Sequence, residues 1–361
     1  MRHGYRALVR GRITSSLYFS VFVFVFVSLF LTIPDSVCHA ASPYINKVYA
    51  FRPAPGQFVN IMPTYEAGDT EETMRQKAED AIAGENQVII SLGAWGGYIV
   101  FGFDHAVGNS KGQKDIRILG NSGKNGAEPG VIYVSYDANN NGLPDDKWYE
   151  IAGSEFGNKS TFRDYRMTYH RTPAVHEQKP DKQECQADTT YIKWEDNKGK
   201  SGYLFQNIYH TQDYFPMWLN DDELVYSGTL LPNNAIATPQ EGKPTLYTLP
   251  ALAFGYADNA PSSDADGESI DIDWAVDETG EYVHLSAIHF VKVQCGLNQQ
   301  CGWIGETSTE IKGAVDLHPD MITALPAWEQ SESDNTKIMR NGQILICRPD
   351  GVYNLFGTRI Q

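Results

Sequence analysis

Short runs of β-branched and aromatic residues, each bounded by Gly, Asn or Asp, recur along most of the chain. Residues 87–92, 97–103 and 130–136 are the clearest, and 282–285, 288–294 and 343–347 repeat the style. Runs of this length and composition predict strands. Residues 71–83 carry the one stretch of helical character. A chain dominated by short strands predicts an all-β fold, a β-sandwich or jelly roll with few short helices. Residues 165–200 are rich in charge and contain Pro173 and Pro180, which predicts a long loop or insertion within a domain spanning 41–325.

The start of the chain reads differently. Arg2, Arg6, Arg10 and Arg12 precede an apolar run at 17–33, and Cys38-His39-Ala40 offers small residues for cleavage after Ala40. This pattern predicts a signal peptide over 1–40 and a secreted or cell-surface protein. A membrane anchor competes, since the run is nearly long enough to span, but the break at Pro34-Asp35-Ser36 favours removal and no transmembrane span after processing. Lipid modification of Cys38 ranks lower, because Asp35-Ser36-Val37 is a poor approach to such a cysteine.

Removal of that leader changes the charge. The whole chain has 29 basic and 45 acidic residues; without the four Arg and one Asp of the leader, 25 and 44 remain, a net charge of −19. So acidic a protein repels phosphate backbones and attracts cations, which argues against nucleic-acid binding. Solubility alone also accounts for much of the charge. Four cysteines remain, Cys185, Cys295, Cys301 and Cys347. In an oxidising compartment an even count predicts pairing, and Cys295 and Cys301 are near enough in sequence to staple a loop. The pairing of Cys185 and Cys347 stays open, and no CxxC spacing suggests zinc.

Two stretches carry candidate chemistry. In the first, Asp137, Asn139 and Asn141 alternate ahead of Gly142, followed by Leu143, Asp145 and Asp146. Oxygen side chains at alternate positions before a glycine resemble the start of an EF-hand loop and predict calcium, with the Leu143 carbonyl and Asp145 or Asp146 completing the shell. Trp148 stands where an EF-hand has its bidentate Glu, so Glu150 has to serve or nothing does; the alternative is an Asn/Gly turn without an ion. In the second, Trp194, Tyr203, Phe205, Tyr209, Tyr214, Phe215 and Trp218 crowd beside Asp213, Asp221 and Asp222. Rings among carboxylates can stack on a sugar face while polar groups take its hydroxyls, so Trp194, Tyr209, Tyr214 and Trp218 are the candidate ligand-binding residues, although core packing is the commoner use of such residues.

Catalysis has less to stand on. Asp271, Asp273, Glu306 and Glu310 offer carboxylates of the kind a glycosidase uses, with nothing in the sequence to tie them together. On a strand, Asp271 and Asp273 would share a face. No Gly-x-Ser-x-Gly elbow occurs, and His105, His170, His176 and His210 show no metal-ligand spacing.

Three runs in the first half, residues 91–104 with Gly93-Ala94-Trp95-Gly96-Gly97, 128–137 with Glu128-Pro129-Gly130, and 148–154, resemble a group of secreted cell-surface proteins of Bacteroidetes, often labelled PKD-domain proteins. Tyr256-Ala257-Asp258-Asn259, residues 270–277 and the run 302–310 extend the resemblance over about residues 45–317. It implies a jelly-roll-like domain on the outer surface that captures glycans or corrinoids for an outer-membrane importer. The chain departs from the group where Ser122-Gly123 follows Gly120-Asn121 without an aromatic, and at Cys295 and Cys301. After a linker at 326–335, residues 338–360 look like the short C-terminal sorting domain of that phylum, a small β unit. The expectation is therefore a calcium-braced surface protein binding a glycan or another nutrient, with a polysaccharide hydrolase and a structural adhesin or stalk module as alternatives.

Overall fold

The computed structural model describes residues 41–321 and the strands Thr336–Arg340, Gln343–Arg348 and Gly351–Asn354, which pair as a small antiparallel sheet. The expected leader at 1–40, with Cys38, and the linker at 326–335 lie outside the described residues. Among the described residues no helix is long and apolar enough to cross a membrane.

The fold is all-β and sandwich-like. A six-stranded antiparallel sheet runs in the order Lys47–Arg52, Tyr98–Gly108, Ala287–Cys295, Gly130–Ser135, Trp148–Ile151, Ala275–Val276. Its inner strands are buried on both faces, which is why 97–103, 130–136 and 288–294 read as continuous apolar runs. A four-stranded sheet runs Glu223–Leu230, Phe162–His170, Gln186–Asp196, Ser201–Asn207. One apolar core joins residues of both sheets.

The expected loop at 165–200 is a correction. It contains most of two strands of the second sheet, Phe162–His170 and Gln186–Asp196, separated by an irregular segment. Tyr165, Met167 and Tyr169 point into the core and Arg166 points to solvent. One wet face carries the charge that makes the segment resemble a loop. Of residues 87–92 only Ile90–Ser91 is a strand, and 282–285 is not one, its Tyr282 being exposed and making a single bridge to Val276.

The expected helix forms over Glu71–Ile82. Thr70 caps it, its hydroxyl accepting the Thr73 N–H while the Thr73 hydroxyl accepts the Thr70 N–H. Met74, Ala78, Ala81 and Ile82 are buried, and Glu79 accepts the Val48 N–H at 2.9 Å. The helix thereby covers the edge strand Lys47–Arg52, which would otherwise offer open hydrogen-bonding groups.

Trp95 joins the sheets. It is fully buried, its ring meets Tyr165 edge-on at 4.7 Å, its indole N–H donates to the Thr229 carbonyl at 3.2 Å, and its carbonyl accepts the Tyr169 hydroxyl at 2.8 Å.

The expected Cys295–Cys301 bridge is absent, a second correction: both are free, buried thiols. Cys295 Sγ lies 3.6 Å from the Thr307 carbonyl oxygen and Cys301 Sγ 3.9 Å from the Thr307 hydroxyl. Burial pushes both thiols up to about 11, so neither is a ready nucleophile. Cys185 is likewise free, 3.8 Å from the Tyr209 hydroxyl.

Candidate functional site

Three short elements place the strongest cluster of chemistry. Glu310–Ile311 pairs with Ile90–Ser91, Gly313–Asp316 pairs with Ile116–Leu119, and Gly302–Ile304 forms a single 3-10 turn. Between turn and strand the chain presents Glu306, Ser308 and Glu310 to one cavity of about 640 Å³, whose walls also include Gln57, Asn121, Glu128, Tyr209, His210 and Trp303.

Two glycines permit the close approaches. Gly305 has φ +97°, and a Cβ there would stand 2.6 Å from Gln57 Oε1. A Cβ at Gly120 would stand 2.4 Å from Asp258 Oδ1, so only glycine lets that backbone lie on the carboxylate. The Asn121 and Ser122 N–H groups both donate to Asp258 Oδ1 at 2.9 Å, and the Glu310 N–H donates to Asp258 Oδ2 at 2.9 Å. Asp258 is thus the anchor that ties three segments together.

Around that anchor the carboxyls crowd. One oxygen each from Glu128, Asp258 and Glu310 lie within 4.8 Å of one another. Glu306 sits deeper: its Oε1 accepts the Gln57 N–H at 2.7 Å, and its Oε2 is buried with no partner. Gln57 Oε1 is also buried without a donor, while its amide nitrogen donates to the Ile304 carbonyl at 2.8 Å. Among the described residues no Lys or Arg lines the cavity. Burial therefore raises every one of these acids. It pushes Glu306 up to about 8, and lifts Glu310 and Glu128 as well, each held up further by a neighbouring carboxylate. Burial and then Glu310 raise Asp258, opposed by its three backbone donors.

The rim is aromatic. Tyr209 is 65% and Trp303 45% exposed, and Phe58 meets His210 edge-on at 4.8 Å. Of the four expected ligand-binding residues, Tyr209 lines this cavity and Trp194 lines a separate one of about 390 Å³. Tyr214 and Trp218 are corrections, being core residues. The Tyr214 hydroxyl accepts the Asn207 N–H and donates to the His210 carbonyl, and Trp218 stacks on Phe51 at 6.1 Å. Trp303 was absent from the aromatic cluster because it lies about 90 residues further along the chain.

The carboxylate candidates separate in the same way. Glu306 and Glu310 come together, but Asp271 and Asp273 sit elsewhere, and not on a strand: Asp271 caps the short Ile272–Trp274 turn by accepting the Asp273 N–H. Glu128 and Asp258 were the residues missed. Each stands beside Gly, Pro or Asn in the runs 128–130 and 256–259, and nothing local links them to Glu310.

The Asp137 loop folds tightly on itself. Asp137 Oδ1 and Oδ2 accept the N–H groups of Asn141 and Gly142 at 3.1 and 2.8 Å, and the side-chain oxygens of Asn139 and Asn141 accept the N–H groups of Asn141 and Leu143. The amide nitrogens of Asn139 and Asn141 both donate to Asp145, and Asp146 accepts the Ala138 N–H. Asn140 and Gly142 turn the chain with φ of 55° and 72°. Glu150 instead accepts the Thr229 hydroxyl at 2.7 Å.

Compared with known proteins, the chain matches no protein-family model and no curated protein.

Proposed function

We propose that the protein is an exported surface protein that captures a polyhydroxylated ligand, a glycan fragment or a similar nutrient, in the Glu306–Glu310 cavity. The observation that carries this reading is the pairing of exposed rings, Tyr209 and Trp303, with a floor of buried, unmatched oxygens at Gln57 and Glu306. Rings stack on the apolar face of a sugar, and acceptors without donors take its hydroxyls. Display on the outer surface, delivery to an outer-membrane importer, and a corrinoid as the nutrient follow from the leader and the resemblance, and belong to the same proposal.

The test is an oligosaccharide panel read by calorimetry and by reducing-sugar release. Binding without release is the expected result, and Trp303→Ala weakens it by about ten-fold or more, the loss of roughly 1.4 kcal/mol of stacking. A panel with no binder overturns the reading. A hydrolase is the second reading, favoured by a Glu306 carboxyl that stays protonated up to about pH 8, as a general acid must. Sugar release abolished by Glu306→Gln selects it.

Calcium at the Asp137 loop completes the proposal. Asp137, Asn139, Asn141, the Leu143 carbonyl, Asp145 and Asp146 supply the donors, and the turn through Asn140 and Gly142, which keeps them on one short loop, favours the reading. Calcium at 100 times its Kd adds roughly 2.7 kcal/mol to a native state that alone binds it. Melting temperature therefore rises with calcium over chelator, and rises less in Asp137→Ala. Equal rises in the two proteins leave an ordinary Asn/Gly turn.

A further inference from the structure

We propose that Glu128, Asp258 and Glu310 hold a divalent calcium ion at the inner end of the cavity, and that the open side of its coordination shell faces the captured ligand. The ion site stands on its own geometry; its contact with a ligand rests on the capture reading above.

The first argument is geometric. Three carboxyl oxygens, delivered by segments about 50 to 180 residues apart, lie within 4.8 Å of one another. An ion at the usual calcium–oxygen distance of about 2.3–2.6 Å fits among ligands so spaced. The second concerns charge. Asp258 is 1% and Glu310 4% exposed, and among the described residues no Lys or Arg lines the cavity to balance them. Buried carboxylates without a basic partner are met by protons or by a metal.

A separate observation points to a ligand rather than to protons alone. Glu306 Oε2 and Gln57 Oε1 belong to neither the trio nor its hydrogen bonds, yet both are buried, both line the same cavity, and neither has a donor. Glu306 is 2% and Gln57 4% exposed. The two unmatched buried atoms are both oxygens, which a hard cation or the hydroxyls or water it carries can meet. The donor set, carboxylates with no thiol or imidazole in the trio, selects calcium over zinc. The protein's backbone already fixes the ligands: Asp258 is held by three N–H donors, and Glu310 by its strand.

The consequence for the ligand is specific. Sugar hydroxyls entering past Tyr209 and Trp303 would complete the calcium shell, so capture requires the ion and favours ligands with two adjacent hydroxyls.

The experiment uses the full protein carrying Asp137→Ala, which silences the loop, freed of metal with chelator and titrated with calcium chloride. Terbium luminescence excited through the cavity aromatics serves as a second readout. One equivalent of calcium is expected, weakened more than about ten-fold by Glu310→Gln and by Glu128→Gln, each a near-isosteric change checked for native melting. Glu128 is the least buried of the three, so its variant keeps the test decisive even where Glu310→Gln perturbs folding. Absence of calcium heat and terbium signal in the Asp137→Ala protein, or unchanged affinity in Glu128→Gln, overturns the ion site. Oligosaccharide binding measured with and without chelator separates the two ideas. Binding indifferent to chelator, with no calcium titration, ends the ion and leaves capture standing; calcium binding with no oligosaccharide retained does the reverse.

Discussion

In buffer freed of divalent cations, the protein loses several kcal/mol of stability as pH rises from about 5 to about 8, and Glu306→Gln removes the share of that loss that Glu306 carries. Glu306 titrates near 4.5 when exposed and is pushed up to about 8 by burial. Between those values the folded chain keeps a proton that the unfolded chain has released, so rising pH favours unfolding. The favourable contribution is complete below about pH 4.5 and gone above about pH 8. At about 1.36 kcal/mol per pH unit, the span sets a ceiling of about 5 kcal/mol, reduced by any water that enters the cavity. Glu310, Glu128 and Asp258 push in the same direction, and the half-buried His289, whose imidazole burial holds below its ordinary value, pushes the other way in acid. Comparing wild type with Glu306→Gln isolates the one group: urea midpoints converge near pH 5, and the variant is the more stable near pH 8. Parallel profiles would falsify the assignment of that proton to Glu306.

Trp95→Ala is expected to cost about 3–5 kcal/mol, the range for removing a fully buried large aromatic. Three losses coincide there. The cavity it leaves opens between the two sheets, Tyr165 loses its edge-on partner at 4.7 Å, and the buried Thr229 carbonyl loses a donor. Trp95→Phe keeps much of the packing and removes the N–H, so it should lose only about 1–3 kcal/mol. Urea denaturation of the three proteins measures the series, and an alanine variant as stable as the phenylalanine one would show that the ring carries no packing between the sheets.

The sequence discloses the parts of this fold whose signal is local. Gly130–Ser135 form a strand because β-branched residues fill both buried faces, and Glu71–Ile82 form a helix because a polar cap precedes four core-facing residues. Residues 162–170 hide their strand, since Arg163, Asp164 and Arg166 alternate with the core residues and raise the charge of the whole window. The cavity is hidden for another reason. Glu306 and Glu310 are visible as carboxylates, but Glu128 and Asp258 become their neighbours only through the packing of distant segments, and nothing in the spacing along the chain encodes that. The aromatic cluster misleads in a similar way. Composition alone does not distinguish Tyr209, which reaches the rim, from Tyr214, whose hydroxyl is occupied by two backbone groups.

The cavity is built from residues 57, 121, 128, 209, 258, 303, 306 and 310, which no single hairpin contains. Contacts so distant in sequence form late on the folding path, after the loops between them have closed. An ion or sugar bound there stabilises the native state without reaching the transition state. Its effect falls on the rate of unfolding and leaves refolding almost untouched. On the capture reading, a protein with its cavity filled gains persistence, holding its shape for longer once formed, and its susceptibility to a protease becomes a matter of how often the ligand leaves.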